Sequence, residues 1–179
     1  AAVTPTVVVH MCLLVTDDPA VGDGPLGIVC DASVVFEDGR VVAVGPTGQV
    51  ADERIDAAGR CVIPGFVDSH THLVFAGDRG DEFAARMAGQ PYEAGGIRVS
   101  VAATRAATTD SLQRLALARR AEARRAGITT VEIKSGYGLD VASEHRCLSV
   151  AAGITAETTF LGAHVVPAEY GGRTDDYVH

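Results

Sequence analysis

The stretch that decides the fold is Val62-Ile-Pro-Gly-Phe-Val-Asp-Ser-His-Thr-His-Leu-Val-Phe-Ala-Gly-Asp-Arg79. Its apolar residues Phe66 and Val67 predict a short strand that runs directly into His70 and His72. Side chains at positions i and i+2 of a strand point to the same side, so both imidazoles can reach one point. A metal ion needs this arrangement from its first two ligands.

A bare His-x-His pair is a weak signal, because such pairs also occur as ordinary surface or core histidines. The neighbouring residues strengthen the metal hypothesis. Pro64 and Gly65 precede the strand, and Arg79 follows it on a Gly-Asp-Arg turn. A guanidinium at that position could meet a substrate carboxylate. The alternative for Arg79 is an ordinary surface salt bridge.

Composition limits the classes of protein that fit. The chain has 179 residues, 47% of them hydrophobic, and a formal net charge of -8. That length predicts one domain or slightly more. The negative charge argues against a nucleic-acid surface, and no apolar run approaches the ~20 residues of a membrane helix. We therefore expect a cytoplasmic enzyme with neither a nucleic-acid nor a membrane partner.

Cysteine usage points to no structural metal cluster or disulfide framework. The four cysteines are far apart in sequence and form no C-x-x-C pair, which excludes the usual zinc-cluster spacing. The sequence positions are Cys12, Cys30, Cys61 and Cys147. We expect them to be buried as small apolar residues, which is the commoner state of free cysteine.

Residues 1–63 predict a small β-domain without chemistry of its own, the N-terminal part of a composite β-sandwich. Short β-rich runs fill this region, and two of them flank Asp38-Gly39. An Asp-Gly pair between such runs is a strong hairpin signal.

Residues 64–179 predict strands that alternate with helices, which favours a parallel sheet with helical crossovers. A helix is expected to be capped by Asp110 and to end at Gly127, and a run of four arginines is expected on its solvated face: Arg119, Arg120, Arg124 and Arg125. Strands are expected at 128–133 and 155–161, with a helix capped by Asp140 between them. The long connection 73–108 contains Tyr92, and loops of that length tend to be functional.

Polar side chains stand at the carboxyl ends of the three predicted strands: His70 and His72, Tyr137, and His164. In (β/α)8 barrels that end of the sheet carries the active site. Pro64-Gly65 before the first strand, with Asp68, His70 and His72 at its end, resembles the signature of the amidohydrolase superfamily. The resemblance implies the fold class α/β: a small N-terminal β-domain followed by the first three βα units of an amidohydrolase-type (β/α)8 barrel, incomplete in this chain. Singly, Tyr137 could be a turn aromatic and His164 an ordinary strand-end histidine.

Four segments resemble the imidazolonepropionase family of the amidohydrolase superfamily. The resemblance covers about residues 60–170, and its most specific part is the Glu-Ile-Lys-Ser-Gly-Tyr-Gly run. The segments are Ser69–Arg79, Gly95–Ala107, Glu132–Leu139 and Thr159–Pro167.

The resemblance implies metal-dependent hydrolysis of the ring amide of 4-imidazolone-5-propanoate to N-formimidoyl-L-glutamate, a step of histidine degradation. It implies that His70 and His72 bind one zinc or iron ion, which lowers the pKa of bound water towards ~7. Arg79, Tyr137 and His164 would contact a small substrate carrying a carboxylate, with Tyr92 a weaker candidate. A planar guanidinium suits a carboxylate because it can bind both oxygens. The metal's identity stays open, since imidazole binds both zinc and iron.

The family's remaining metal ligands and its catalytic Glu are expected beyond residue 179, so we interpret the chain as the N-terminal portion of a longer protein and predict that it is inactive alone. Two alternatives stay open. One is another cyclic amidase or a deaminase of the same superfamily. The other is a truncated, non-catalytic module that pairs through its open sheet edge. A homodimer also stays open.

Overall fold

The structure is a computed structural model that describes residues 5–46, 51–89 and 96–179. The chain forms two compact units, Ala1–Pro64 and Gly65–His179. Tyr92 lies outside the described residues. The predicted domain assignments, residues 1–63 to a composite β-sandwich and 64–179 to a barrel, stay predictions. In the parts of the chain that the structure describes, no helix is long and apolar enough to cross a membrane.

The first unit contains two small sheets. One has the strand order β5-β4-β1-β6 and the other the order β3-β2-β7. Neighbouring strands are antiparallel, except that β6 and β7 run parallel to their partners β1 and β2. The strands are β1 Thr6–Val9, β2 Leu13–Val15, β3 Ile28–Cys30, β4 Ala32–Glu37, β5 Arg40–Pro46, β6 Glu53–Asp56 and β7 Cys61–Val62.

The β4–β5 hairpin turns at Asp38-Gly39, which confirms the hairpin prediction. Asp38 has φ 49° and Gly39 has φ 71°, so both central residues are left-handed. Two left-handed residues define the turn whose twist matches that of the flanking strands. Glycine and aspartate reach this region at low cost, which explains their use here.

Both faces of strand β1 pack against apolar residues. Val7 and Val9 form a buried cluster with Val35, while Val8 packs on the opposite face. This alternation follows from the two-residue period of a strand. The second cluster, on the side of Val8, contains Met11, Leu14, Ala32, Val34 and Ala57. The first unit therefore has a hydrophobic core of its own.

The second unit is a parallel sheet with helices between its strands. Strand β9 lies between β8 and β10, and both pairings are parallel, as predicted. The elements are β8 Phe66–Thr71, α1 Gly80–Met87, α2 Ile97–Ala106, α3 Thr109–Arg125, β9 Ile128–Lys134, α4 Val141–Ala152, β10 Thr158–Thr159, a 3-10 helix Ala168–Tyr170 and α5 Thr174–Val178.

Helices α3 and α4 cover one face of strand β9. Val131 and Ile133 on that face are buried in a cluster that includes Leu112 and Ala116 of α3 and Val150 of α4. Glu132 and Lys134 alternate to the opposite face and form an ion pair with 2.6 Å between Oε1 and Nζ. Hydrogen bonds from Lys134 and Thr159 lower the pKa of Glu132.

The structure corrects the sequence predictions for several boundaries. The connection 73–108 is not a continuous loop, because it contains α1 and α2. Helix α3 is capped by Thr108, whose side chain accepts a hydrogen bond from Ser111 N, and not by Asp110. The third strand is only Thr158–Thr159. Asp140 does cap α4, as predicted, by accepting a hydrogen bond from Ser143 N.

The prediction that all four cysteines are buried is wrong for three of them. Cys147 is buried in the helix–sheet core of the second unit, whereas Cys12, Cys30 and Cys61 are exposed. The exposed three lie beside or at the ends of short strands in the first unit. Burial raises the pKa of Cys147 to about 11.

Candidate active site at the carboxyl ends of the parallel strands

The two histidines of the His-x-His pair lie side by side at the end of β8. His70 belongs to the strand and is exposed, and His72 follows it and is half-buried. Their ring centroids are 5.6 Å apart. Asp68 Oδ1 accepts a hydrogen bond from His70 N, and Thr71 Oγ1 donates to the carbonyl of Glu132 on β9. These bonds hold the end of the strand that carries both imidazoles.

Tyr137 and His164 complete a ring cluster with His72. The His72 and His164 rings are stacked, with centroids 4.7 Å apart and planes within 4°. Tyr137 meets both of them edge-on, at 5.4 Å from His72 and 5.6 Å from His164. The structure thus brings together four of the residues predicted from the three strand ends.

The environment of His72 favours a neutral imidazole. Burial lowers its pKa below the usual 6.5, and the nearby His164 and His70 lower it further. His72 Nδ1 is buried and has no hydrogen-bond partner in the described part of the protein. A neutral ring with an unpartnered nitrogen suits a metal ligand, because imidazole binds metals through a lone pair.

The remaining ligand set is incomplete. Within residues 5–46, 51–89 and 96–179, no group of three or more His, Cys, Asp or Glu side chains is arranged to hold a metal ion. Catalytic zinc sites typically use three protein ligands plus water. His70 and His72 therefore fit as the first two ligands of a metal, but not as a whole site.

Arg79 directly precedes α1. Its Nε and Nη2 atoms donate to the two carboxylate oxygens of Glu82 at 3.0 and 2.6 Å, so the guanidinium already binds a carboxylate with both arms. Arg79, Tyr137 and Phe75 line a cavity of about 720 Å³. The histidines do not line that cavity, so the predicted site divides into a ring cluster and an adjoining pocket that share Tyr137.

Arg119 is a site residue that sequence reasoning missed. It was expected on a solvated face of α3, but its Nη1 donates to the carbonyls of Leu73 and Phe75, each at 2.7 Å. Its guanidinium carbon also lies 3.5 Å from the centre of the Phe75 ring, and burial lowers the pKa of Arg119. Arg119 therefore holds the segment that directly follows His72.

Arg120 also departs from the solvated face, because it donates to the carbonyls of Ile128 and Thr129. Arg124 and Arg125 are exposed, as predicted. The run of four arginines contains no local feature that separates the two inward-facing side chains from the two exposed ones. The helical spacing places Arg119 on the same side as Leu112 and Ala116, and that is the one signal the sequence offers.

Glu144 is a second missed residue, on the first turn of α4. Its side chain is buried and accepts hydrogen bonds from the backbone of the loop that carries Tyr137. The glycines of that loop allow close approach: a Cβ at Gly136 would lie 2.9 Å from His164 Nδ1, and one at Gly138 would lie 2.6 Å from Glu144 N. The Gly-Tyr-Gly pattern is thus required by contacts with its neighbours.

Solved structures with a similar fold are hydrolases. A triazine hydrolase from Arthobacter aurescens matches 88% of this chain and 35% of its own, with a TM-score of 0.54 and 17% identity. An amidohydrolase matches 88% of this chain and 30% of its own, with a TM-score of 0.51 and 19% identity. A prolidase in complex with N-methylphosphonate-L-proline matches 96% and 39%, with a TM-score of 0.51 and 18% identity. The chain shares its fold with part of each of these hydrolases, and the predicted α/β fold class is confirmed.

Curated proteins with similar sequences are imidazolonepropionases. The chain is 64% identical over 167 residues to the imidazolonepropionase of Salinispora tropica and 62% identical to that of Mycolicibacterium smegmatis, in each case over 92% of this chain. It is 54% identical to the imidazolonepropionase of Rhodococcus jostii over 178 residues, or 97% of this chain. No protein-family model matches the chain. The chain resembles an N-terminal portion of imidazolonepropionase, which confirms the resemblance found in its motifs.

The chain spans only 42–43% of the length of these relatives. Similarity to imidazolonepropionases and amidohydrolases implies a metal ion, without indicating which metal.

Proposed function

We propose that this chain contributes the first metal ligands and the substrate-binding groups of an imidazolonepropionase. The reaction is the hydrolysis of the ring amide of 4-imidazolone-5-propanoate to N-formimidoyl-L-glutamate in histidine degradation. The observation that carries the proposal is the cluster of His70, His72, Tyr137 and His164 rings at the carboxyl ends of parallel strands. That end of the sheet carries the chemistry in barrels of this class.

His70 and His72 would hold the metal, and zinc and iron both suit imidazole ligands. When bound, such an ion lowers the pKa of water and polarises a carbonyl oxygen. The chain's own contribution is to keep both rings close together and His72 neutral. Thr71, hydrogen-bonded to the carbonyl of Glu132, anchors the strand end between the two rings.

Arg79 would bind the propanoate carboxylate of the substrate. Its contact with both oxygens of Glu82 supports this role, because it is the geometry that a substrate carboxylate would need. The same contact sets a requirement. When substrate binds, the Glu82 carboxylate has to give up one or both of its hydrogen bonds to the Arg79 guanidinium. Exchange of one carboxylate for another keeps the guanidinium paired throughout.

Tyr137 and His164 would orient the imidazolone ring of the substrate. The carbonyl of Gly136 can only accept a hydrogen bond, so His164 donates to it from Nδ1, at 3.0 Å. Its Nε2 then carries the lone pair and is able to accept a proton or hydrogen bond from the substrate ring. Tyr137 belongs to the same ring cluster and lines the Arg79 cavity, which supports a role between the ring and the carboxylate ends of the substrate. Tyr92 stays a weaker candidate.

We expect no turnover by this chain alone, because the described residues offer two metal ligands where three are typical. We also expect a cytoplasmic protein that takes a small carboxylate-bearing substrate. A homodimer is compatible with this proposal.

The test is calorimetric titration of the 179-residue chain with Zn²⁺. We expect weak binding that is lost in His70→Ala and His72→Ala and retained in His145→Ala, the matched control, whose side chain is exposed in the middle of α4. Zinc binding that is unchanged by both site variants would overturn the ligand assignment. A measurable rate with 4-imidazolone-5-propanoate from this chain would contradict the expected inactivity.

A further inference from the structure

We propose that Glu144 is a positioning residue that sets the Tyr137 and His164 side chains in the candidate site. The inference deepens the proposed function and rests on it for the importance of those two side chains. Glu144 is outside the ring cluster and was not singled out by any motif. It acts through the backbone of residues 136–139.

The Glu144 carboxylate accepts three hydrogen bonds from one loop. Its Oε2 accepts from Gly136 N at 2.8 Å, and its Oε1 accepts from Gly138 N and Leu139 N, each at 2.7 Å. The side chain is only 1% exposed. A buried carboxylate is costly unless its oxygens are satisfied, and three N–H donors provide that satisfaction. The carboxylate and the loop therefore stabilise each other.

The bonded amides surround Tyr137 on both sides in the chain. Gly136 and Leu139 have φ angles of 126° and 57°, in the left-handed region. That conformation is costly for leucine, so the loop needs outside support to keep it. The bond from Leu139 N to Glu144 supplies such support. The carboxylate thereby fixes the direction in which the Tyr137 side chain leaves the loop.

The same loop fixes His164. Gly136 donates its N–H to Glu144 and accepts a hydrogen bond from His164 Nδ1 through its carbonyl. A rotation of this peptide would therefore release both bonds. One carboxylate on α4 thus controls the orientation of Tyr137 and the ring tautomer of His164.

The test is Glu144→Gln in the full 179-residue chain, compared with Val150→Ala. Val150 is buried on the same helix, so its truncation lowers stability without touching the loop. Two NMR readouts are used: hydrogen exchange of the Gly136, Gly138 and Leu139 amides, and the ¹⁵N shifts of the His164 ring. A glutamine places an NH₂ group against donors, so we expect exchange at these amides to rise by at least about tenfold. We also expect His164 to lose its fixed Nδ1–H tautomer.

Val150→Ala should leave both readouts unchanged while it lowers thermal stability. Unchanged exchange and an unchanged His164 tautomer in Glu144→Gln would overturn the proposal. If Glu144→Gln does not fold, hydrogen exchange is measured in the unsubstituted chain instead. The Gly136, Gly138 and Leu139 amides should then exchange more slowly than those of the exposed Gly171–Gly172 turn. Equal exchange rates would overturn the proposal. Neither readout needs metal or substrate. Failure of zinc binding would therefore count against the proposed function alone.

A separate observation in the first unit carries a second inference. We infer that Cys12 and Cys61 form a modification site, in which a two-electron oxidant such as hydrogen peroxide joins them in a disulfide. Their sulfur atoms are 3.5 Å apart, and both side chains are exposed. Cys12 N also donates to the carbonyl of Arg60 at 3.2 Å, which holds the two segments together. A disulfide needs its sulfurs at about 2.05 Å, so the thiols must approach each other by roughly 1.5 Å.

The reaction balances with peroxide as the oxidant. A thiolate attacks one peroxide oxygen and the O–O bond breaks, which gives a sulfenic acid and a hydroxide; the hydroxide takes up the proton that this thiol had released and becomes water. The second thiol then attacks the sulfenic sulfur, and its proton leaves with the hydroxyl group as the second water. Both S–H bonds are lost, one S–S bond forms, and two molecules of water leave. Disulfides of this kind in reducing compartments are usually transient or redox-sensing.

The test is a thiol count and peptide mapping after treatment with hydrogen peroxide. We expect the four thiols of the chain to fall to two, with Cys12 joined to Cys61 in one molecule. Cys12→Ser and Cys61→Ser should abolish this product, and Cys30→Ser, which removes another exposed thiol, should keep it. Retention of all four thiols, or cross-links only between molecules, would overturn the inference.

Discussion

A single carboxylate, Asp140, joins two parts of the second unit. It caps α4 by accepting a hydrogen bond from Ser143 N at 2.8 Å, and it pairs with Arg105 Nε at 3.1 Å. Burial by itself raises the pKa of Asp140, but the hydrogen bonds from Ser143 and the charge of Arg105 outweigh it. The pKa is therefore lowered from 3.8. Folding favours the charged form.

We expect Asp140→Ala to lower the free energy of unfolding by about 1 kcal/mol at pH 7, the usual cost of a lost cap. Because the folded-state pKa lies below 3.8, the carboxylate contributes fully above that pH and loses its contribution as pH falls through the folded-state pKa. Urea unfolding at pH 7 and pH 3 measures the difference. Thr108→Ala, which removes the uncharged cap of α3, should show no such pH dependence. Equal losses for Asp140→Ala at both pH values would contradict the assignment.

At the residue scale, the sequence identified side chains by their spacing and their place after strands. His70, His72, Tyr137 and His164 do come together, although their roles stay predictions. Arg119 and Glu144 could not be found in this way. Both act on backbone groups of distant segments, and those groups have no sequence signature.

At the scale of the element, α3 separates buried from exposed positions clearly. Leu112 and Ala116 are fully buried against strand β9, whereas Leu117 is 48% exposed. Leu112 and Ala116 are four residues apart and therefore lie on one side of the helix, and both are core residues. Leu112 and Leu117 are the same residue type on one helix, and they offer a matched comparison of burial.

We expect Leu112→Ala to lower the free energy of unfolding by about 2–5 kcal/mol, because it leaves a cavity in the core. Leu117→Ala should change it by less than about 0.5 kcal/mol, since the side chain has little contact to lose. Far-ultraviolet circular dichroism during urea unfolding measures both. Similar losses in the two variants would show that α3 does not pack as described.

Helices α1 and α2, which are only 8 and 10 residues long, were not predicted from the sequence. In α1 the large side chains Phe83 and Met87 are 67% and 73% exposed, so they do not mark a core-facing side. In α2 the buried positions include Ser100 and Thr104, which are polar. The Thr104 hydroxyl donates to the Ser100 carbonyl and accepts from Ala76 N, and these bonds allow its burial.

At the scale of the whole molecule, the change from short strands to alternating strands and helices near Pro64 predicted a parallel sheet with helical crossovers, and the family resemblance supplied the barrel type. The parallel order β10-β9-β8 follows from that alternation, because parallel neighbours need a crossover. Strand lengths were harder to predict. β10 contains only two residues, although the sequence predicted a strand over residues 155–161. Hydrogen bonding to a neighbour, which the pattern does not contain, decides where a strand ends.

The division at Pro64 has a practical consequence for spectroscopy. The chain has no tryptophan, and its four tyrosines, at positions 92, 137, 170 and 177, all follow that boundary. Emission excited at tyrosine wavelengths therefore originates in the second unit alone. Tyrosine fluorescence therefore reports on the unit that contains the ring cluster, and the β-rich first unit contributes none.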